Sequence, residues 1–211
     1  MDDRHLILLS GGIDSVVLAY FAKDKGMNLH EGLFFDYDQD PVNKELYCAR
    51  RCAINIGFPL QIFDVAGLRK SFSGTFKSDY HLFMAESCNC GDPMAAYGIA
   101  ATYAVLIGVP KIIVGVHKDD LVNIPNIKEF FNHFNSALSL LHQVKFELIT
   151  PFIDMSKAEV VKLGKSLKVP FEETWVCYRR QYEHCGECPG CQKRKQAFKT
   201  AKIKETIMYL K

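Results

Sequence analysis

Apolar and polar positions fall along the chain in blocks whose period switches between strand and helix. Leu6–Leu9 is a short apolar run and predicts a buried strand, and Val16 to Lys25 continues as a helical pattern. Glu31–Phe35 predicts a second strand. Pro41 can open the helix after it, which carries Leu46, Ala49, Ala53 and Ile56 on one face and stops at Gly57. Leu60–Val65 predicts a third strand. A long polar stretch from Gly67 to Asp92 follows, of the length expected for a lid or substrate loop. Pro93 to Ile107, rich in Ala and aromatics, predicts a buried helix closed by Gly108. Ile112–Val116 predicts a fourth strand, Lys118 to Asn126 an irregular piece, Glu129–Leu141 a helix and Phe146–Ile149 a fifth strand. Ser156-x-x-Glu159 is a capping box that opens a helix over Lys157–Leu167.

This alternation predicts an α/β fold, an open parallel five-stranded sheet with helices on both faces, of the Rossmann-like, adenine-nucleotide-binding kind. In such sheets ligands sit beyond the carboxyl ends of the strands. Ser10–Ser15, Asp36–Gln39, the stretch from Gly67 to Asp92 and His117–Asn126 are thereby expected on one edge. After Pro170 the pattern changes. The expected organisation is an α/β domain over 1–170 and a short C-terminal zinc-binding helical tail over 171–211.

Composition sharpens this picture in three places. The chain has 211 residues, 48% hydrophobic and 24% charged, enough for a full core. A net charge of +2 gives no footprint for a nucleic-acid partner, and the basic run Lys193, Arg194, Lys195, Lys199, Lys202 and Lys204 reads as the solvated face of a terminal helix. No apolar segment is long enough for a membrane span or a secretory signal, so a cytoplasmic protein with no membrane partner is expected. In that compartment eight cysteines point to metal binding rather than disulfides.

Candidate chemistry lies at the two ends. Between the first strand and its helix stands Ser10-Gly11-Gly12-Ile13-Asp14-Ser15. A Gly/Ser turn running into a helix leaves backbone N–H groups free at the helix start, where they attract phosphate. The spacing fits neither the G-x-x-x-x-G-K-[ST] loop nor G-x-G-x-x-G. It resembles the pyrophosphatase loop of ATP-dependent adenylating enzymes. At the other end, Cys177, Cys185, Cys188 and Cys191 stand in a C-x7-C-x2-C-x2-C spacing. Four thiolates with small residues in the turns suit a tetrahedral, structural Zn²⁺ site, with an iron–sulfur cluster as the alternative. His184 adjoins the group as a neighbour. Cys48 and Cys52, four apart on a helix, read as core thiols, and Cys88 and Cys90 as loop cysteines.

With both ends in view, the chain resembles the 7-cyano-7-deazaguanine synthase family of the queuosine pathway. The resemblance rests on Leu8-Leu9-Ser10-Gly11-Gly12-Ile13-Asp14-Ser15, on Phe35-Asp36-Tyr37-Asp38-Gln39 against the family's Phe-Asp-Tyr-Gly-Gln, and on Glu45-Leu46 with Ala49-Arg50-Arg51. It extends through Thr150-Pro151, Ser156 to Gly164, Val169-Pro170, Thr174-Trp175, Cys177-Tyr178, the other three cysteines, and Arg194 with Ala197-Phe198. It implies an ATP-dependent ligase that adenylates 7-carboxy-7-deazaguanine and, with ammonia, makes the amide and then the nitrile. It also implies a homodimer. Ser10, Gly11, Gly12 and Ser15 would hold phosphate, Leu8, Leu9 and Asp14 would bind ATP with them, and Phe35 to Tyr37 would border the adenine. Asp14 would orient the loop or ligate Mg²⁺, which makes Asp14 and Ser15 the catalytic candidates.

The middle of the chain departs from the family pattern. Asn89-Cys90-Gly91-Asp92-Pro93 stands where members carry Val-Pro-x-Arg-Asn. Gly115-Val116-His117 stands for Gly-Val-Asn, and Ile124-Pro125-Asn126 for Tyr-Pro-Asp. Gly115, His117 and Asn126 are therefore the candidates for base recognition. An Asp there can accept two N–H donors from a guanine-like edge, whereas Asn126 accepts fewer. The altered positions leave open an amide ligase acting on a related carboxylate and another amine, or a tRNA-modifying adenylase.

Overall fold

The computed structural model describes residues 3–67, 94–122, 126–142, 144–180 and 182–210. Five strands form one parallel sheet: β1 (Arg4–Leu8), β2 (Asn28–Asp36), β3 (Leu60–Asp64), β4 (Lys111–Ile113) and β5 (Glu147–Ile149). Their order across the sheet is β3-β2-β1-β4-β5 and every neighbouring pair is parallel. The helices are α1 (Ile13–Asp24), α2 (Val42–Ile56), α3 (Met94–Leu106), α4 (Ile127–His142), α5 (Lys157–Ser166) and α6 (Pro189–Ala201). The expected α/β architecture is thus the observed one. No described helix is long and apolar enough to cross a membrane.

Alternation along the strands sends successive side chains to opposite faces. Ile7 and Leu9, Phe34 and Ile113 join one core with α1, α2, α5 and α6. Leu6, Leu33 and Ile112 join the other, with α3 and α4. Two faces buried at once account for the nearly continuous apolar reading of β1. The C-terminal helix α6 enters the first core through Ala197, Phe198 and Ala201, against Phe171 and the helices of the sheet domain.

The ends of the elements are chemically marked. Gly57 closes α2 in a left-handed turn at φ 101°. At the start of α5 the Ser156 hydroxyl accepts from Glu159 N–H while the Glu159 carboxylate accepts from Ser156 N–H at 2.7 Å, as the capping box predicts. Pro189 occupies the first turn of α6. Cys48 and Cys52 are buried on α2, as expected of core thiols. Cys88, Cys90 and the rest of the stretch from 68 to 93 lie outside the described residues.

Several boundaries differ from expectation: β2 begins at Asn28 rather than Glu31, and the helix expected over Glu129–Leu141 begins at Ile127. The fourth strand ends at Ile113 rather than running to Val116. Gly115 approaches the start of α1 so closely that a Cβ would stand 3.1 Å from the Asp14 carbonyl carbon. The chain leaves the ladder there to pass over the helix start. Because β2 and β4 flank β1 on opposite sides, the chain reverses its course across the sheet between β1 and β4. The crevice beyond their carboxyl ends is the place where such folds bind ligands.

Helix α5 packs on α1 through Gly164, where an added Cβ would meet Val17 Cγ2 and Phe171 Cζ, each at 2.7 Å. Gly164→Ala is expected to destabilise the chain by about 1–3 kcal/mol through overpacking. Urea denaturation measures it, and an unchanged midpoint would mean that the two helices separate freely.

Candidate active site

The crevice holds a cavity of about 710 Å³, within the range of small-molecule sites. Its floor is the turn from β1 into α1. Gly11 has φ 77°, and a Cβ there would lie 2.3 Å from the Glu45 carbonyl oxygen on α2. Only glycine fits both the backbone and the space. Gly12 is the N-cap of α1 in extended conformation, without a side-chain cap. Ser15 Oγ accepts from Ser10 N–H at 3.2 Å and lies 3.1 Å from Ser10 Oγ and 3.2 Å from the Gly12 carbonyl. The turn is thereby cross-linked by two hydroxyls. The first N–H groups of α1 lack carbonyls one turn back and sit at the positive end of the helix dipole, beside the cavity. An anion is the natural complement.

The second wall comes from the loop after β4 and the start of α5. Lys157 pairs through Nζ with Asp14 Oδ2, both partly buried. Asp14 Oδ1 is buried and has no hydrogen-bond partner among the described residues. His117 Nε2 stands 3.7 Å from that oxygen. His117 is 6% exposed; its Nδ1 lies 3.4 Å from Asp120 Oδ2 without the alignment of a hydrogen bond, while its backbone N–H donates to that oxygen at 3.0 Å. Burial raises the Asp120 carboxyl above its ordinary value, with His117 pulling the other way. Asp119 Oδ2 accepts from Lys157 N–H at 2.9 Å. One cationic side chain and three carboxylates thus meet at a helix start.

The third wall follows β2. Gln39 is 3% exposed and braces the turn: its Oε1 accepts from Tyr37 N–H at 3.0 Å, and its Nε2 donates to Phe35 O at 3.3 Å and to Glu45 Oε2 at 2.9 Å. Asp38, where the family motif has glycine, sits in the left-handed region at φ 63°. Phe35 stacks on Phe63 at 5.3 Å. Burial pushes the Glu45 carboxyl up to about 7, against the hydrogen bond from Gln39.

The fourth wall is the tail. Trp175, Val176, Tyr178 and Gly190 line the cavity, and behind them the four cysteines converge. Their sulfurs all lie within 4.8 Å of one another, with Cys185 to Cys191 at 3.9 Å and Cys177 to Cys188 at 4.0 Å. Four thiolates about 2.3 Å from one tetrahedral ion would stand about 3.8 Å apart. This group could hold a metal ion. Burial disfavours charge on Cys185, but the N–H groups of Glu187 and Cys188, at 3.4 and 3.3 Å, hold its pKa down to about 6. His184 is not one of the four; its ring lies on Trp175 with centroids 4.1 Å apart.

Of the residues singled out in the sequence, Leu8, Leu9, Ser10, Gly12, Asp14, Ser15, Phe35, Tyr37, Gly115 and His117 line the cavity. Gly11 does not: it faces α2. Asn126 does not line it either and is exposed just ahead of α4. Lys157, Asp119, Asp120, Gln39, Glu45 and Trp175 also line it and were not singled out as site residues. For Lys157 a signal existed, since the capping box places it on the first turn of a helix at the ligand edge of β5.

Known proteins resemble this chain in sequence and in fold. The family model described as "Queuosine biosynthesis protein QueC" matches residues 4–88 and 91–202. A 7-cyano-7-deazaguanine synthase of Methanobrevibacter smithii is 33% identical over 99% of both chains, and one of Methanospirillum hungatei is 32% identical over 98% of this chain and 99% of the other. Among solved structures, the NMN synthetase from Francisella tularensis superposes with a TM-score of 0.56 at 17% identity, covering 97% of this chain and 79% of that one. The U34-tRNA thiolase NcsA from Methanococcus maripaludis, solved with its [4Fe-4S] cluster, gives 0.56 at 18%, covering 95% and 66%. These two likenesses concern the fold.

A carboxyl raised from 4.5 to about 7 keeps a proton in the folded chain that the unfolded chain has lost. Between those values stability falls as pH rises. Glu45→Gln is expected to flatten that slope in urea denaturation across the same pH window. A slope equal to that of the parent protein would show that Glu45 ionises as freely folded as unfolded.

Proposed function

The chain belongs to the QueC family of queuosine biosynthesis proteins, and we propose that it is an ATP-dependent carbon–nitrogen ligase acting as a 7-cyano-7-deazaguanine synthase. The observation that carries the reading is the start of α1 at the sheet's switch point, with its N–H groups, two hydroxyls and Lys157 facing one cavity. In this reading the carboxylate of 7-carboxy-7-deazaguanine attacks the α-phosphorus of ATP. The P–O bond to pyrophosphate breaks and an acyl adenylate forms. Ammonia adds to the activated carbon, AMP leaves, and the amide remains after loss of a proton. The amide oxygen then attacks the α-phosphorus of a second ATP, the P–O bond to pyrophosphate breaks again, and loss of AMP with the two N–H protons leaves the nitrile. A carboxylate oxygen is a poor leaving group, and adenylation turns it into a good one.

The protein's task is alignment and charge stabilisation. Ser10, Gly12 and Ser15 hold phosphate oxygens, and Gly11 gives the loop its turn. Lys157, released from Asp14, follows the negative charge that builds on pyrophosphate. Phe35 and Tyr37 border the adenine. Gly115 and His117 face the acid, whereas Asn126 stands off the cavity, so we assign the contacts of the acid to the former pair. The buried, unpartnered Asp14 Oδ1 fits one carboxylate ligand of a Mg²⁺ otherwise held by phosphates. Bound there, Mg²⁺ would neutralise phosphate charge.

For the tail we propose zinc. Sulfurs within 4.8 Å of one another enclose one ion, whereas a four-iron cluster puts an iron at each thiolate and spreads them further. Residues 171–211 are then a metal-dependent appendage to 1–170.

Incubation with ATP, Mg²⁺, ammonia and the acid, followed by mass spectrometry, is expected to show the nitrile. Amide alone would stop the reaction at one activation, and no loss of the acid would refute the reading. Lys157→Met and Asp14→Ala are each expected to lower turnover by about 10²-fold or more while the fold persists. Cys188→Ala is expected to lose the bound metal, read by atomic emission, and to lower the Tm. Metal-free parent protein of unchanged Tm would remove zinc from the account.

A further inference from the structure

Trp175 joins the two ends of the chain. Its backbone N–H donates to the Gly11 carbonyl at 2.9 Å, and its indole Nε1–H donates to the Cys177 carbonyl at 2.9 Å. Trp175 is 3% exposed, with the Lys44 ammonium 5.5 Å from its ring centre and the His184 ring centroid 4.1 Å away. Cys48 of α2, Trp175, Cys177, Cys188 and Cys191 form one packed cluster. Gly190 lies between two of those cysteines, and a Cβ on it would stand 2.1 Å from the Val176 carbonyl oxygen. The cysteine turn therefore presses on 175–176, and 175 holds the loop.

The hydrogen bond falls on a sensitive peptide. Gly11 C=O and Gly12 N–H belong to one planar unit, so fixing the oxygen fixes the direction of the N–H, which donates to Ser10 Oγ at 3.3 Å and so sets the loop hydroxyl as well. Gly11 has no second place to go, because α2 occupies the space on its other side. The phosphate-facing end of α1 thus takes its orientation from a segment that the four cysteines hold.

We propose that Trp175 is a positioning residue for nucleotide binding, through which metal occupancy of the cysteine tail and nucleotide affinity of the Ser10–Ser15 loop are linked. The inference rests on the ATP reading above. Coupling between sites is reciprocal in binding free energy. Metal must strengthen nucleotide binding, and nucleotide must strengthen metal binding by the same factor.

The chain has one tryptophan, so its fluorescence reports the junction directly. The probe is α,β-methylene-ATP saturated with Mg²⁺, which keeps its phosphates from competing for zinc. Titrated into the zinc-loaded protein without the acid, it is expected to shift Trp175 emission. In a chelator competition it is expected to tighten zinc binding about tenfold, within the usual range of coupling. Gly190→Ala keeps all four ligands but displaces Val176. With one zinc per chain confirmed, it is expected to weaken analogue binding, read by calorimetry, about tenfold. Unchanged zinc affinity in the presence of bound analogue overturns the linkage. So does wild-type analogue affinity in zinc-loaded Gly190→Ala. Should that variant not fold, the competition on the parent protein decides alone. If the loaded parent binds no analogue at all, the ATP reading and this inference fall together; binding without coupling removes only the inference.

Discussion

The Gly11 carbonyl has one direction available to it, and much of the molecule is arranged around that restriction. On one side the α2 backbone leaves no room for a side chain; on the other Trp175 N–H receives the oxygen. Strand β1, helix α2 and the tail therefore meet at a single peptide. From there α1 departs with its first N–H groups over the sheet's switch point, and β4 also bends away at Gly115, where the chain passes close over that helix start. A steric fact about one glycine thus determines where the first N–H groups of α1 point.

The segment that supplies Trp175 is itself held by a buried charge. Arg194 of α6, expected on the solvated face of the terminal helix, is instead fully buried, because a carboxylate and backbone and hydroxyl oxygens meet its guanidinium there. Its guanidinium makes a fork to Glu205 with both contacts at 3.1 Å, donates to Thr174 Oγ1 at 2.7 Å and to Phe171 O at 2.9 Å, and lies over the Phe198 ring. Burial would raise the Glu205 carboxyl, but Arg194 holds it below its ordinary value. A buried ion pair of this kind gives little net stability, yet removing one partner leaves an uncompensated charge. Its service here is to register: residues 171–174, α6 and the C-terminal segment cannot slide past one another without breaking the fork. Cysteines on one flank and Arg194 on the other leave Trp175 a single position.

The fold was largely legible because its signals are local. Apolar runs, the capping box at Ser156 and the glycines after α2 and α3 each act within a few residues, and parallel strands buried on both faces need no alternation to be recognised. The turn from β1 into α1 was legible for the same reason. What could not be read are the contacts that depend on distant elements. Lys157 lies 143 positions from Asp14, and its pairing follows only from the packing of α5 on α1. Nothing local marks Gln39 and Glu45 as a pair, and the failure of Asn126 to reach the cavity depends on where the chain turns into α4. The expectation that the fourth strand reaches Val116 missed a constraint imposed by α1.

The departures from the family pattern act through this same frame. Asp38 takes a left-handed conformation that glycine would adopt without strain, at a cost of roughly 1–2 kcal/mol. Its N–H is met by the Asp36 carboxylate at 3.0 Å, and the turn still delivers Gln39 to Tyr37, Phe35 and Glu45. The geometry that matters at this turn is the glutamine brace, and the backbone bears strain to keep it. His117 changes more. An imidazole reaches further than an asparagine amide, and here it lies buried between Asp14 and Asp120. With Lys157 on the other oxygen of Asp14, the carboxylate is flanked on two sides while one oxygen remains without a hydrogen bond. The substitution therefore acts on the wall built from His117 and Asp120, and it reaches the turn from β1 into α1 through Asp14.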